Sequence, residues 1–159
     1  MITASKKYGN ILQDSKTLSD FQKKNMTVID FSKFRKINKI LPDKIYCNKI
    51  IVNDLFNVFG KLQKEKLIAE IKSYDGCFNP RYIRGMEAKK ILSNHAYGTA
   101  LDFNAIDNPL GKNRLQNIES KLTPWSQEFI KVFEEFNFIN GYRFQRGDGM
   151  HFEYINIVW

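Results

Sequence analysis

The architecture of this chain is decided by the stretch Ser93-Asn94-His95-Ala96-Tyr97-Gly98-Thr99-Ala100-Leu101-Asp102. Residues 99–104 are predicted to form a β-strand, because their side chains alternate between polar and apolar positions. This alternation places Asp102 on one face, and Leu101 and Phe103 on the other. A carboxylate in the middle of a strand is costly to bury without a partner. Asp102 therefore either faces solvent or binds a metal ion.

A second segment, Asp148-Gly149-Met150-His151-Phe152-Glu153, lies near the C-terminus. The chain has only 2 histidines, and each of them lies beside carboxylates. Strand alternation puts His151 and Glu153 on one face. Two imidazoles and one carboxylate, with one position left open, form a common ligand set for catalytic zinc. The residues therefore predict that His95, Asp102 and His151 bind one metal ion.

The rest of the sequence indicates an α+β fold, in which helices cover one face of a small antiparallel sheet and the site lies on the other. One helix is expected to follow an N-cap at Asn53, because apolar residues recur at helical spacing from Leu55 to Leu62. A second helix is expected to begin at Thr123-Pro124. Strands are expected at 45–51, 67–74, 99–104 and 150–158, and a short helix or two between 18 and 39.

Charged residues near the predicted ligands are candidates for acid–base chemistry. Asp148, three residues before His151, is the better placed general base, which would take a proton from a water nucleophile. Glu153 shares the face of His151, and would act as a base or orient the histidine. Arg81 and Arg84 are candidates to stabilise an oxyanion, although ordinary surface arginines remain an alternative.

The two motifs, Ser93-x-His95-x-x-Gly98-x-Ala100-x-Asp102 and Asp148-x-x-His151-Phe152-Glu153, resemble those of a known family. It comprises the VanY-type D-alanyl-D-alanine carboxypeptidases and the related L-alanyl-D-glutamate endopeptidases of phage endolysins. The loop from Cys77 to Gly85 also resembles the loop before the first motif in one branch. The resemblance covers residues 45–159. It implies the hedgehog/DD-peptidase fold and a zinc peptidase that cleaves peptidoglycan stem peptides with a metal-activated water.

The resemblance implies that His95, Asp102 and His151 are the ligands of one Zn2+ per chain. Asp148 matches the acidic residue that serves as general base, and Arg81 matches the arginine that polarises the scissile carbonyl.

The expected site also contains Glu153 as a catalytic residue, and Ser93 and Arg84 as residues that contact the substrate. Residues 1–44 match nothing in the family. They are expected to form an N-terminal extension packed on a zinc peptidase domain at 45–159.

Composition limits the partners of the chain. A length of 159 residues is enough for one domain with a core, and no apolar window is long enough to span a membrane. The net charge of +8 suits anionic polymers. No aromatic-plus-basic array supports a nucleic-acid partner. We expect a monomer that acts in the cell envelope or periplasm. No signal peptide is visible, so it would be released by phage, delivered by a secretion system, or trimmed of a leader.

Two other functions stay open at this point. One is a non-catalytic, zinc-stabilised binding module of the same fold, against which the presence of Asp148 counts. The other is a basic nucleic-acid-binding domain or nuclease, which a steep salt dependence of DNA binding would support. The motifs leave open which peptide bond is cleaved. Cys47 and Cys77 are expected to be free thiols, although one bridge is possible.

Overall fold

A computed structural model describes residues 3–157, which form an α+β fold with two antiparallel sheets. The elements are α1 (Ala4–Tyr8), α2 (Ser15–Asn25), β1 (Met26–Asp30), α3 (Ser32–Arg35), β2 (Lys44–Asn48), α4 (Val52–Lys64), β3 (Tyr74–Gly76), β4 (Ala100–Phe103), α5 (Arg114–Glu119), α6 (Gln127–Glu135), β5 (Phe138–Gly141) and β6 (Asp148–Tyr154). Short 3₁₀ helices lie at Lys49–Ile51, Leu67–Glu70, Glu87–Lys89 and Asn94–Tyr97. The expected strand at 150–158 corresponds to β6, and Val158 lies outside the described residues.

The larger sheet has the strand order β3-β4-β6-β5, with every neighbouring pair antiparallel. Its central pair, β4 and β6, aligns Asp102 with His151 and Ala100 with Glu153. Residues that face each other across an antiparallel pair project to the same side of the sheet. The register therefore brings the two predicted motifs together on one face.

The opposite face of β4 and β6 packs against α4 and α6. The ring of Phe133 in α6 lies 4.1 Å from that of Phe152, and the ring of Phe59 in α4 lies 6.0 Å from that of Phe103. Each aromatic side chain buried in this way contributes about 1.5–3 kcal/mol of hydrophobic stabilisation. The predicted arrangement, with helices on one face and the site on the other, is confirmed.

The strand predicted at 67–74 is wrong, because two asparagine side chains take the place of a neighbouring strand. Asn38 Nδ2 donates to the carbonyls of Ile68 and Ile71 at 2.9 and 2.8 Å. Asn104 Oδ1 accepts from the amides of Lys72 and Ser73 at 2.7 and 3.0 Å. With these backbone groups satisfied, the segment forms a 3₁₀ turn and a loop before β3.

Both predicted helix starts are also displaced. The second long helix begins at Gln127 rather than at Thr123-Pro124, because Ser126 is a better-anchored cap. Ser126 Oγ accepts from the Phe129 amide at 3.1 Å and donates to Glu70 at 2.6 Å. The first helix starts at Val52, directly from the preceding 3₁₀ turn, so Asn53 lies inside it. The side chains of its predicted apolar face, Leu55, Val58, Phe59 and Leu62, are buried.

The small sheet ties the N-terminal residues to the rest of the fold. Helices occur between 18 and 39 as expected, but β1 separates them. The β1–β2 ladder runs from Met26 opposite Asn48 to Asp30 opposite Lys44. The boundary between an N-terminal extension at 1–44 and a domain at 45–159 stays a prediction. The β1–β2 ladder joins residues from before and after that boundary. Within residues 3–157, no helix combines the length and the apolarity that crossing a bilayer requires.

Candidate metal centre

Three side-chain atoms meet in an almost equilateral triangle on the open face of the sheet. His95 Nε2 lies 3.0 Å from Asp102 Oδ1 and 3.0 Å from His151 Nδ1, and the last two atoms are also 3.0 Å apart. Asp102 and His151 are held by the β4–β6 register, whereas His95 comes from the 3₁₀ turn before β4. The structure thus brings the three predicted ligands together.

Hydrogen bonds on the far side of each imidazole fix which nitrogen faces the triangle. His95 Nδ1 lies 2.7 Å from the Cys77 carbonyl, to which it donates. His151 Nε2 lies 3.1 Å from Glu153 Oε2, and this carboxylate also accepts from Asn94 Nδ2 at 2.7 Å. Partners of this kind set the tautomer of metal-binding histidines and increase their basicity. The nitrogens that remain direct their lone pairs at the triangle.

The close approach of these side chains shifts the pKa values of His151 and Asp102 in the metal-free protein. Burial lowers the pKa of His151, but hydrogen bonds with Asp102 and Glu153 outweigh burial and raise the pKa to about 9. Burial would raise the pKa of Asp102, but the hydrogen bonds from His151 and His95 hold it well below its usual range. In the metal-free protein the proton of the His151–Asp102 hydrogen bond lies between two of the three atoms, and a bound metal ion would replace it.

The donor set fits a metal ion. The ligand atoms of a tetrahedral zinc ion lie roughly 3.3 Å apart, given bonds of about 2.0–2.2 Å. The 3.0 Å triangle needs only slight expansion to reach that separation. His95, Asp102 and His151 also form the one group in residues 3–157 whose metal-binding atoms all lie within 4.8 Å of one another.

The triangle lies in a cleft of about 570 Å³. All eight predicted site residues line this cleft: Arg81, Arg84, Ser93, His95, Asp102, Asp148, His151 and Glu153. Ser93 also caps the turn that carries His95, because its Oγ accepts from the His95 amide at 3.3 Å. The roles assigned to these residues beyond metal binding stay predictions.

Two buried polar atoms in the cleft have no hydrogen-bond partner among the described residues: Asp148 Oδ1 and Arg81 Nε. Burial raises the pKa of Asp148, and the negative charge of Asp102 adds to that effect. Burial and the neighbouring Arg84 lower the pKa of Arg81. An unpaired buried donor or acceptor costs about 1–3 kcal/mol. A molecule bound in the cleft that forms hydrogen bonds with these two atoms would remove this cost.

Asp148 is positioned by close approaches that only glycine allows. A Cβ atom on Gly141 would lie 2.3 Å from the Asp148 carbonyl oxygen. A Cβ atom on Gly149 would lie 2.3 Å from the Tyr142 ring. The backbone of Asp148 therefore packs against Gly141 at the end of β5, and that of Gly149 packs against Tyr142 in the 142–147 loop.

The mouth of the cleft is formed by that loop and by a flap, residues 81–93. An antiparallel β-bridge between Tyr82 and Leu92 joins the two ends of the flap. Its tip at 84–90 is exposed. Arg146 Nη1 donates to the Arg84 carbonyl at 3.1 Å and so connects the loop to the flap. Sequence reasoning missed Arg146 and also Asn94, although both lie within three residues of predicted site residues.

The apolar wall of the cleft was also missed. It comprises Ile83, Met86, Leu92, Leu110, Phe144 and Met150. The ring of Phe144 lies 5.9 Å from that of His151, so this wall extends to the metal ligands. No sequence signal distinguished these residues from ordinary core or surface positions, because they come from the flap, from two other loops and from β6.

Comparison with protein families identifies a match. Residues 86–154 match the family model described as D-alanyl-D-alanine carboxypeptidase. No curated protein and no solved structure matches the chain. The matched residues contain both ligand motifs, whereas Arg81 and Arg84 precede them. The resemblance drawn from the motifs is confirmed: residues 86–154 match the metallopeptidase family of the D-alanyl-D-alanine carboxypeptidases, and His95, Asp102 and His151 within them are the candidate metal ligands.

Proposed function

We propose that this protein is a zinc-dependent peptidase that hydrolyses peptidoglycan stem peptides, as a D-Ala-D-Ala carboxypeptidase or an L-Ala-D-Glu endopeptidase. The observation that carries the proposal is the ligand triangle in a cleft that also holds an unpaired carboxylate oxygen and an unpaired guanidinium N–H. Two imidazoles and one carboxylate are typical ligands of a catalytic zinc ion, which keeps one position open. His95, Asp102 and His151 would hold that ion.

Zinc, when bound, acidifies a water molecule and polarises a carbonyl group. Asp148 is the proposed general base, because its buried Oδ1 has no partner in the described residues and burial raises its pKa. A raised pKa brings a carboxylate closer to the range in which it can both accept and return a proton. Asp148 would take a proton from the attacking water and then donate it to the leaving amine.

Arg81 is the proposed oxyanion partner. Its side chain lines the cleft, and its buried Nε–H has no acceptor among the described residues. A fixed positive charge in a partly dry site stabilises the negative charge that develops on the carbonyl oxygen during attack. Glu153 holds the His151 ring through the 3.1 Å hydrogen bond, so its proposed contribution is to orient this ligand.

Substrate recognition is proposed to use the contrast between the two sides of the cleft. Arg84 and Arg146 contribute positive charge at the mouth, and an apolar wall runs inward from them. Short stem peptides combine small apolar side chains with free carboxylates, which suits both sides. Ser93 would contact the substrate from beside the His95 turn. The net charge of +8 would favour approach to an anionic wall.

The proposed site of action is the cell envelope or periplasm, and the protein would act as a monomer. Release by phage, delivery by a secretion system, or removal of a leader would each bring it there. None of these routes changes the chemistry of the cleft.

Digestion of purified peptidoglycan with and without a chelator tests the proposal, with mass spectrometry of the products. We expect release that the chelator abolishes and that added Zn2+ restores, and the product masses would name the bond. One bound zinc ion per chain without any released product would overturn catalysis and favour a zinc-stabilised binding module instead.

A further inference from the structure

We propose that Tyr97 is a positioning residue for His95, acting through a brace built by the N-terminal part of the chain. The N-terminal brace consists of Tyr8, Phe21 and Tyr97, with the carbonyl of Gly9. It lies behind the turn Asn94–Tyr97, on the side away from the cleft. The inference rests on the proposed metal site but not on any substrate.

His95 differs from the other two ligands in how its backbone is held. Asp102 and His151 are directly opposed in the β4–β6 ladder, which fixes both of them. His95 belongs to a four-residue 3₁₀ turn outside the sheet. Short 3₁₀ segments have poorer hydrogen-bond geometry than α-helices or ladders. From outside the turn and its two caps, the Asn79 amide donates to the His95 carbonyl at 3.0 Å. The rest of its support depends on what packs against this turn.

The rings of the brace pack closely on one another. The Tyr97 ring is fully buried and stacks on Tyr8 with a centroid separation of 5.8 Å. Phe21 meets Tyr8 edge-on at 5.1 Å and Tyr97 at 6.1 Å. Aromatic pairs of this kind contribute about 0.5–1.5 kcal/mol beyond their burial. Tyr97 thus joins α1 and α2 to the turn that carries a metal ligand.

Hydrogen bonds fix the same turn in position. Tyr97 Oη donates to the Gly9 carbonyl at 2.8 Å. Asn48 Nδ2 donates to the Tyr97 carbonyl at 3.0 Å, and the Asn48 amide donates to the Gly98 carbonyl at 2.9 Å. The residues on both sides of the turn's end are therefore bonded to chain segments that precede residue 49.

Gly98 shows how close this approach is. Its φ is +64°, and a Cβ atom at this position would lie 2.5 Å from the methyl carbon of Met26. The end of the His95 turn is thus pressed against β1 without a side chain between them. All of these contacts come from residues before the 86–154 segment that matches the family. The N-terminal part of the chain is therefore assigned a task in the metal site.

Zinc affinity of the full chain tests the brace, measured by competition with a chelator at a temperature well below unfolding. Tyr97→Phe keeps the ring and removes the hydroxyl that bonds to Gly9. We expect zinc binding to weaken roughly fivefold, less than the 10–100-fold typical of groups that bond directly to a ligand. Tyr8→Leu removes the stacking partner, leaves Tyr97 itself intact, and is expected to weaken binding to a similar degree.

Tyr154→Phe is the matched control, because its hydroxyl donates to Asp54 at 2.8 Å from the other face of β6. It should lower the melting temperature without changing zinc affinity. Excess zinc should return the activity of Tyr97→Phe to that of the wild type. Unchanged zinc affinity in both Tyr97→Phe and Tyr8→Leu, or an equal loss in Tyr154→Phe, would overturn the brace. Wild-type zinc binding without hydrolysis would overturn the peptidase and leave the brace standing.

Discussion

The two faces of the β4–β6 pair have opposite energetic characters, although they alternate along the same strands. On one face Phe103 and Phe152 are fully buried among other rings. On the other, Asp102 Oδ1 and His151 Nδ1 lie 3.0 Å apart in a partly buried hydrogen bond, and the cleft beside them holds Asp148 Oδ1 and Arg81 Nε, unpaired within residues 3–157. Burying rings stabilises the fold, whereas crowding unpaired polar atoms costs free energy. The comparison teaches that the helix-covered face supplies the stability that the cleft face consumes.

Removing a ligand should cause the largest change. Asp102→Ala deletes one vertex of the triangle, so we expect loss of stoichiometric zinc and of all detectable hydrolysis. Zinc content after dialysis and product release from peptidoglycan check this. Asp20→Ala, which removes an exposed carboxylate paired with Lys16, is the control and should bind zinc normally. Full activity in Asp102→Ala would contradict the metal site.

Asp148→Asn should separate binding from chemistry on the cleft face. The amide keeps the shape of the side chain but cannot accept the proton, so kcat should fall about 10²–10⁴-fold. Zinc affinity should change little, because Asp148 is not part of the ligand triangle. Steady-state kinetics and chelator competition measure the two effects independently. A variant that loses zinc and activity together would show that Asp148 has a structural role instead.

Phe152→Ala should damage the other face, although the residue directly follows His151. Loss of a ring that packs 4.1 Å from Phe133 should reduce the free energy of unfolding by about 3–5 kcal/mol. Chemical denaturation of the metal-free protein gives this value. Phe136→Ala, at a half-buried position beside the core, should cost clearly less. Equal losses in the two variants would argue against a core centred on Phe152.

Competition between a proton and zinc for His151 should give the smallest of these effects, as a change in apparent zinc affinity with pH. The imidazole of His151 in the metal-free protein carries a proton up to about pH 9, and zinc binding must displace that proton. Apparent zinc affinity should therefore increase by up to about tenfold per pH unit below this value and level off above it. Glu153→Gln removes one of the groups that raise this pKa, so its plateau should begin at a lower pH. Zinc titrations in metal-buffered solutions test both expectations.

Strand alternation was enough to predict both faces from sequence. It separated Asp102 from Phe103, and His151 from Phe152, and the occurrence of both histidines beside carboxylates predicted the metal ligands. Asp102 lies opposite His151 because two strands about fifty residues apart in sequence pair in one register. The alternation within each strand does not predict that register. The resemblance to a family predicted that the two motifs meet in one site. All of the predicted site residues line the cleft.

Two of the failures, the strand predicted at 67–74 and the start of α6, share one physical cause, which is hydrogen bonding by side chains from distant parts of the chain. The 67–74 segment has the apolar character of a strand, but Asn38 and Asn104 bind its backbone groups. Likewise, Ser126 caps its helix because Glu70 anchors it from another part of the chain. Asparagine, serine and glutamate are so common on surfaces that their sequence positions gave no signal of these roles.

The exposed tip of the flap has a consequence for how such a protein can diversify. Residues 84–90 are exposed throughout, whereas the metal ligands lie on the β4–β6 ladder and on a buried turn. Insertions or substitutions at the tip can reshape the mouth of the cleft without moving a ligand atom. We therefore expect sequence change at the tip to alter which molecules enter the cleft while the geometry of the ligand triangle is kept.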